Sequence, residues 1–212
     1  MEKFIFDVDG TILEKDYQYE SDYFKSVLGD SDATKLLSVL PKLLSKYERG
    51  YFKYDVFDLS EYLREKTGLY ITPKILNGWI EAGKDCNNKV FPGVRETLEY
   101  LKHNGKQVVA LSNWFKDMQV ARLNKMQLLE YFDEVYGADQ VALKPNYECY
   151  EAACGEVPFS QCVMIGDSLN EDVLVPLKFG MDAVYFHPKD DDIETDAKVK
   201  VIKSIIDIKE MY

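Results

Sequence analysis

Positive charge, long apolar runs and histidine are all scarce in this chain of 212 residues. Lys and Arg number 26 against 37 Asp and Glu, which gives a net charge of −11 at pH 7. A protein this acidic is not expected to neutralise the many phosphates of DNA or RNA. No stretch approaches the ~18 consecutive apolar residues that a membrane-spanning helix needs. We therefore predict neither a nucleic-acid-binding protein nor an integral membrane protein.

Cysteine and histidine offer little material for metal or redox chemistry. No CxxC pair and no histidine cluster occurs among Cys86, Cys149, Cys154, Cys162, His103 and His187. This pattern predicts reduced thiols rather than a zinc site or a disulfide framework, and it leaves little room for histidine-based triads. The first residues contain no long apolar segment followed by a cleavage site, so we expect a cytoplasmic rather than a secreted protein.

The composition that remains is globular, with 46% hydrophobic and 30% charged residues. A short apolar run at residues 4–9 predicts a buried strand, and from Phe91 onward helical patterns alternate with β-rich runs. Those runs lie at residues 107–111, 134–136, 162–165 and 183–186, and a last amphipathic helix is predicted from Ser204. Such alternation predicts an α/β fold, a Rossmann-like and mostly parallel sheet with helices on both faces.

The stretch after the first strand has a helical pattern instead. Leucines and a tyrosine recur at helical spacing over residues 36–47, with Ser31 and Asp32 as candidate caps and Gly50 as the end. Further on, Gly68 closes a second apolar face, and Thr72 followed by Pro73 is typical of a helix start. We predict about four helices here.

The domain organisation follows from this change of pattern. We expect a catalytic core made of residues 1–15 and 90–212, with an inserted all-helical unit at residues 16–89. The polar stretches 14–16 and 87–89 join the two and are candidate hinges. The insertion holds eight of the fifteen tyrosines, which either contact a substrate or pack with their hydroxyls at the surface. The acidic run at residues 190–192 lacks the spaced ligands of a calcium loop, which favours a solvated loop.

Polar residues follow four of the predicted strands, at the sheet edge where open α/β folds bind ligands. The loops carry, in order, a carboxylate pair, a hydroxyl, a cation and a second carboxylate pair: Asp7 and Asp9, Ser112 with Asn113, Lys144, and Asp167 with Asp172. Taken singly, an Asp after a strand is usually a helix cap and a lone Lys is usually solvated. Their common edge and their order favour a catalytic site.

Four motifs in these loops resemble those of the haloacid dehalogenase superfamily. They are FIFDVDGTIL, LSN, the Lys before Pro-Asn, and MIGDSLNED. The resemblance covers residues 1–15 and 90–212, and the helical insertion sits where the C1-type helical caps of that family sit. It implies a phosphatase-type member. The branch that gives the family its name lacks the second Asp of DxD and uses no metal, so Asp9 favours phosphoryl transfer over carbon–halogen cleavage.

The resemblance implies that Asp7 is the nucleophile and forms an aspartyl-phosphate. Asp9 would protonate the leaving alkoxide and then activate water, while its backbone carbonyl joins the metal. Elementary chemistry agrees, because a carboxylate is ionised at pH 7 and can attack phosphorus once cations offset the charge of the phosphate. Gly10 permits the tight turn that such a loop needs.

The other motif residues would surround the phosphoryl group. Ser112, Asn113 and Lys144 would bind its oxygens, and Asp167 would join Asp7 and Asp9 as a ligand of Mg²⁺, which prefers hard oxygen donors. Asp172 would orient Lys144 or a metal-bound water. The alternative for Asp172 is an acidic residue of a helix first turn, favoured there by the helix dipole.

We therefore expect a Mg²⁺-dependent phosphohydrolase that cleaves a small phosphomonoester, with a small phosphorylated metabolite as its partner and a monomer or small homo-oligomer as its state. A sugar-phosphate phosphomutase shares the same motifs and stays an alternative. A non-catalytic phosphate-binding protein is the other alternative, although no motif residue is lost. Trp114, next to the LSN motif, either lines the site entrance or packs in the core.

Overall fold

The computed structural model of the protein describes residues 1–189 and 199–212. Within these ranges the strands are β1 (Lys3–Phe6), β2 (Gln107–Ser112), β3 (Glu134–Gly137), β4 (Cys162–Gly166), β5 (Asp182–Phe186) and β6 (Lys200–Ile202). The α-helices are α1 (Gln18–Leu28), α2 (Asp30–Gly50), α3 (Val56–Thr67), α4 (Pro73–Lys84), α5 (Val94–His103), α6 (Lys116–Lys125), α7 (Tyr147–Cys154), α8 (Val175–Phe179) and α9 (Ile208–Met211). The solvated loop predicted for the acidic run at residues 190–192 lies outside the described residues.

The six strands of the described residues form one sheet in the order β3-β2-β1-β4-β5-β6, and every pairing is parallel. β1 lies between β2 and β4, with Phe4 opposite Val108 on one side and Val163 on the other. Phe4 and Phe6 pack into the apolar core on one face and Ile5 into the core on the opposite face, since successive strand side chains alternate. The predicted α/β class is confirmed.

The structure near the C-terminus differs from the prediction in two places. β6 was not predicted, because a three-residue edge strand gives no usable pattern. The helix predicted from Ser204 is divided into a 3₁₀ turn over Ile205–Asp207 and the short α9. Ser204 and Asp207 form a reciprocal capping box at the start of that turn.

The four predicted helices of the insertion are present as α1 to α4, which we call the helical unit. They pack around a shared apolar core that contains Phe24, Leu36, Leu63 and Trp79. In α3 and α4 the helix ends follow the predicted signals: Gly68 adopts a left-handed conformation with φ of 71° after α3, and the Thr72 hydroxyl accepts the Ile75 amide at 3.3 Å. None of the helices in the described part of the chain is long and apolar enough to cross a membrane.

Three other helix boundaries differ from those predicted. α2 begins at Asp30, so Ser31 and Asp32 lie inside its first turn rather than capping it, and Gly29 takes the N-cap position. α6 ends at Lys125 instead of continuing to residue 129, and the chain turns through Gln127, whose φ is 54°. The helix predicted over residues 172–179 starts earlier, as a wide π-helical turn over Leu169–Leu174 that leads into α8.

Two connections join the helical unit to the sheet, and they run side by side. The Glu14 amide donates to the Lys89 carbonyl at 2.8 Å, and Leu13 pairs with Val90 in an isolated bridge. The Asn88 side chain donates to the Glu14 carbonyl at 3.2 Å. Both stretches that the sequence marks as candidate hinges therefore lie next to each other, beside the carboxyl end of β1.

Candidate active site

A cavity of about 290 Å³ opens where the carboxyl ends of the central strands face the helical unit. It gathers all seven residues that the sequence analysis places in the site, namely Asp7, Asp9, Ser112, Asn113, Lys144, Asp167 and Asp172. Their common position follows from the topology, because β1, β2 and β4 are parallel neighbours and their carboxyl ends meet at one sheet edge.

Lys144 lies between two buried carboxylates at the base of the cavity. Its Nζ is 2.8 Å from Asp7 Oδ1 and 2.7 Å from Asp172 Oδ1. Burial raises the pKa of Asp7 to about 8, although the Lys144 ammonium opposes that effect. Burial alone would lower the pKa of Lys144, but Asp172 and Asp7 hold it well above its usual value. The Lys144 ammonium is therefore retained between the two carboxyl groups, and a further cation bound to Asp7 would favour the ionised form of Asp7.

Asp172 is held from two sides. Besides Lys144, it accepts a hydrogen bond from the Ser168 amide at 3.0 Å through Oδ2. A Cβ atom at Gly166 would lie 2.2 Å from that oxygen, so only glycine fits at the end of β4. Both oxygens of Asp172 thus have partners within the protein, as expected of a residue that orients Lys144.

Asp9 is supported by two residues of α6 that no sequence motif connects with the site. Arg122 Nη2 lies 2.6 Å from Asp9 Oδ1, and Gln119 Nε2 lies 2.6 Å from Asp9 Oδ2. Gln119 also donates to the Ser112 hydroxyl at 2.7 Å. The position of α6 directly after the LSN loop is the sequence signal that could have found them, since residues three apart share a helix face.

Asn113 holds the loop that carries Lys144. Its Oδ1 accepts the Lys144 amide at 2.6 Å and its Nδ2 donates to the Lys144 carbonyl at 3.2 Å. Nδ2 also lies 3.2 Å from Glu171 Oε2. The side chain of Asn113 is therefore engaged with protein atoms, while the Ser112 hydroxyl and Asp9 both accept from Gln119 Nε2.

Three carboxylates form a group with the spacing of a metal site. Oxygen atoms of Asp7, Asp167 and Asp172 lie within 4.8 Å of one another. These are hard, anionic oxygen donors of the kind that Mg²⁺ takes in proteins, so the residues fit that ion. Lys15 Nζ lies 2.6 Å from Asp167 Oδ2. Gly10, with φ of 96°, lets Asp167 approach, because a Cβ there would lie 2.2 Å from Oδ2.

The opposite wall of the cavity comes from the helical unit and from Trp114. The residues of the helical unit that line it are Tyr19, Glu20, Leu44 and Glu48. Trp114 both lines the cavity and packs on Trp79, with ring centroids 4.9 Å apart. Of the eight tyrosines in the insertion, Tyr17 and Tyr19 reach the cavity, whereas Tyr47 and Tyr54 are buried in the core of the helical unit.

Residues 1–180 match the family model of haloacid dehalogenase-like hydrolases. The chain belongs to this family. Among curated relatives, it is 31% identical over 130 residues to a glyceraldehyde 3-phosphate phosphatase from Methanothermobacter thermautotrophicus, covering 57% of this chain and 58% of the relative. It is 36% identical over 123 residues to a phosphoglycolate phosphatase from Caulobacter vibrioides, covering 56% and 52%. The chain thus spans a little over half the length of these curated relatives.

Solved structures of this family share the fold over the whole chain. A haloacid dehalogenase (HAD) phosphatase from Thermococcus onnurineus superposes with a TM-score of 0.68 at 26% identity, covering 100% of this chain and 97% of that one. The HAD hydrolase YfnB from Bacillus subtilis, solved with bound magnesium, gives a TM-score of 0.73 at 19% identity and covers 99% and 97%. The second likeness concerns the fold alone.

Proposed function

We propose that this member of the haloacid dehalogenase-like hydrolases is a phosphatase that cleaves a small phosphomonoester through an aspartyl-phosphate on Asp7. The observation that carries the proposal is the buried carboxyl group of Asp7 beside the Lys144 ammonium, at 2.8 Å, on the floor of a cavity. The names of its curated relatives, which are phosphatases of small phosphate esters, support the reaction class.

In the first half of the proposed reaction, a carboxylate oxygen of Asp7 attacks phosphorus. The bond between phosphorus and the oxygen of the leaving alcohol breaks, and Asp9 gives its proton to that oxygen. In the second half, Asp9 takes a proton from water, whose oxygen attacks phosphorus. The acyl phosphate then breaks, which releases phosphate and restores the carboxylate of Asp7. Arg122 and Gln119 keep the side chain of Asp9 in place.

Charge around the phosphoryl group comes from several residues of this chain. Lys144 supplies a cation, Ser112 and nearby amides bind phosphoryl oxygens, Asn113 fixes the Lys144 loop, and Asp172 orients the Lys144 ammonium. Mg²⁺, held by the carboxylates of Asp7 and Asp167 and the backbone carbonyl of Asp9, would supply further positive charge against the repulsion between Asp7 and a phosphate dianion.

We assign the catalytic core to residues 1–15 and 90–212 and a cap to residues 16–89. In this assignment the cap opens and closes over the cavity about the two adjacent connections at 14–16 and 87–89, and so controls access of substrate and water. The pairing of Glu14 with Lys89 supports a shared hinge line, because one movement would displace both connections together.

Asp7→Asn tests the proposal. We expect this variant to remain folded and to release no phosphate from p-nitrophenyl phosphate with Mg²⁺, whereas the wild type turns over many times. Circular dichroism and thermal melting check the fold, and Asp22→Asn, on α1 outside the cavity lining, is the control for the same chemical change. Substantial activity of folded Asp7→Asn would contradict the covalent mechanism.

The mutase alternative predicts a different product. A mutase excludes water from the phosphorylated enzyme and presents a second sugar hydroxyl to it. Neither histidine lies in the helical unit, since His103 ends α5 and His187 follows β5. We therefore expect phosphate release, and no conversion of glucose 1-phosphate into glucose 6-phosphate even with a bisphosphate activator. Efficient isomerisation with negligible phosphate release would favour the mutase.

A further inference from the structure

The positive charges of the cavity are gathered at its core end, and each one already has a carboxylate partner. Of the described residues that line the cavity, the cations are Lys15, Arg122 and Lys144. Lys15 pairs with Asp167 and Arg122 with Asp9, both at 2.6 Å, and Lys144 pairs with Asp7 as described above. All three cations thus lie with the proposed phosphate and metal ligands, away from the part of the cavity that would receive the rest of a substrate.

Acidic side chains line the cap end of the cavity. Glu20 from α1 and Glu48 from α2 line it, and Glu171 faces the cavity from the π-helical turn after β4. Each accepts a hydrogen bond from a neutral group: Glu48 from the Tyr54 hydroxyl at 2.9 Å, Glu20 from Tyr19 at 3.5 Å, and Glu171 from Asn113 at 3.2 Å. Among the described residues, no Lys or Arg of the helical unit lines the cavity.

Partial burial of these carboxylates makes a cationic partner favourable. Burial raises the pKa of Glu20 to about 7, and it raises the pKa of Glu48 as well. A positively charged group in the cavity would stabilise the ionised forms. A second anion in the same place would meet three acids and no free cation, and like charges brought together at a binding surface lower affinity.

Aromatic rings stand beside these acids. Tyr19 adjoins Glu20 in sequence, and Trp114 lies in the same lining. Faces of tryptophan and tyrosine rings attract ammonium groups, most strongly where the cation is removed from water. The cavity volume of about 290 Å³ suits a small ester rather than a polymer.

We propose that the preferred substrate is a phosphomonoester whose leaving alcohol carries an ammonium group, with the phosphate on Asp7 and Lys144 and the ammonium between Glu20, Glu48 and Glu171. The inference rests on the proposed phosphatase function and narrows its substrate class. It separates this chain from the phosphoglycolate phosphatases among its relatives, because the substrate in that name carries a carboxylate beyond the phosphate.

Three esters of similar size test the inference. They are 2-aminoethyl phosphate, 2-hydroxyethyl phosphate and 2-phosphoglycolate, whose leaving groups are cationic, neutral and anionic at pH 7. We expect kcat/KM to fall in that order, with at least about a tenfold difference between the first and the last, mainly through KM. Equal values, or a preference for 2-phosphoglycolate, would overturn the inference while leaving the phosphatase proposal intact.

A variant that removes two of these acidic groups tests whether Glu20 and Glu48 cause the substrate preference. We expect Glu20→Gln/Glu48→Gln to reduce the preference for the amine ester over the hydroxyl ester to less than about threefold. Glu61→Gln removes the same charge from an exposed position on α3, where the side chain is 73% accessible, and should keep the wild-type preference. If the double variant also keeps the wild-type preference, Glu20 and Glu48 do not cause the preference for the amine ester and the inference fails.

Binding of the three esters to the Asp7→Asn variant tests the inference without relying on turnover. Isothermal titration of the three esters should show the amine ester binding tightest and 2-phosphoglycolate weakest. If no ester is hydrolysed by the wild type but this order of binding holds, the phosphatase proposal fails and the assignment of the cavity to an ammonium-bearing phosphate ester survives. If the order is absent, the assignment fails whatever the activity.

Discussion

The Arg122 guanidinium joins Asp9 to the connection between the two parts of the molecule. Its Nη2 is 2.6 Å from Asp9 Oδ1, and its Nε donates to Asn88 Oδ1 at 2.7 Å. Arg122 is buried on α6, and Gln119, one turn earlier, accepts its Nη1 at 2.9 Å. Arg122 therefore contacts both Asp9, the proposed acid and base of the reaction, and Asn88, which lies in one of the two candidate hinges.

Replacing Arg122 should lower both the catalytic rate and the stability of the protein. We expect Arg122→Met to lower kcat by at least about tenfold with a smaller change in KM, since Asp9 loses the charged partner that fixes it. The free energy of unfolding should fall by roughly 1–3 kcal/mol, the range for hydrogen bonds to charged groups and buried polar groups left unpaired. Urea unfolding and steady-state kinetics measure the two effects. Arg64→Met, at an exposed position, is the control; a kcat equal to that of the control would exclude a positioning role.

Asp9→Asn tests the acid–base step itself. The amide keeps one oxygen, which can accept from Arg122 or from Gln119, but it cannot give or take the proton of the leaving group. We expect kcat to fall by about 10²–10⁴, the usual contribution of general acid–base catalysis. The loss should be smaller for an aryl phosphate with a good leaving group than for an alkyl phosphate. A fall of less than tenfold with both substrates would make Asp9 structural.

Metal dependence follows from the proposed Mg²⁺ ligands, because Asp7 and Asp167 offer carboxylate oxygens within 4.8 Å of each other. We expect EDTA to abolish phosphate release and added Mg²⁺ to restore it. Asp167→Ala should raise the Mg²⁺ concentration needed for half-maximal activity, whereas Asp58→Ala, on the exposed surface of α3, should not. Full activity after exhaustive chelation would show that the metal assignment is wrong.

Asp133 should make stability depend on pH. Burial acts to raise its pKa, but hydrogen bonds from Lys102 at 2.5 Å and from the Val108 amide at 2.8 Å outweigh it, and the pKa is lowered. A carboxyl group whose pKa is lower in the folded state stabilises the fold above its unfolded pKa of about 3.9, and that contribution is lost as the pH falls through the folded value.

We therefore expect Asp133→Asn to lower the free energy of unfolding at pH 7 by no more than about 1 kcal/mol, because the side chain is partly exposed to solvent. The difference from wild type should shrink below about pH 4. Urea unfolding at pH 7 and pH 3 measures it, with Glu130→Gln as the exposed control. A difference that is the same at both pH values would show that the charge of Asp133 is not its source.

Short-range features of the chain were predictable because their causes are local. The apolar runs that form β1, β2 and β4 are each followed at once by site residues, so parallel pairing alone brings Asp7, Ser112 and Asp167 to one edge. The ends of α3 and α4 were likewise predictable, since a left-handed glycine and a Thr cap act within one turn. The helix ends at Ser31 and Asp32 were wrong because either residue fits a first turn as well as a cap.

By itself, the sequence determined the parallel α/β class, the four inserted helices and the seven residues at the sheet edge. Only the tertiary structure decided which residues from distant helices support or line the cavity: Arg122 and Gln119 hold Asp9, and Glu20 and Glu48 line the opposite side. Each of these residues lies on one face of a helix. Helical periodicity predicts which residues share that face, but it does not predict which other element the face contacts. The packing of α6 on the sheet and of the helical unit over the cavity settles that, because contacts between elements far apart in the chain depend on how whole elements dock.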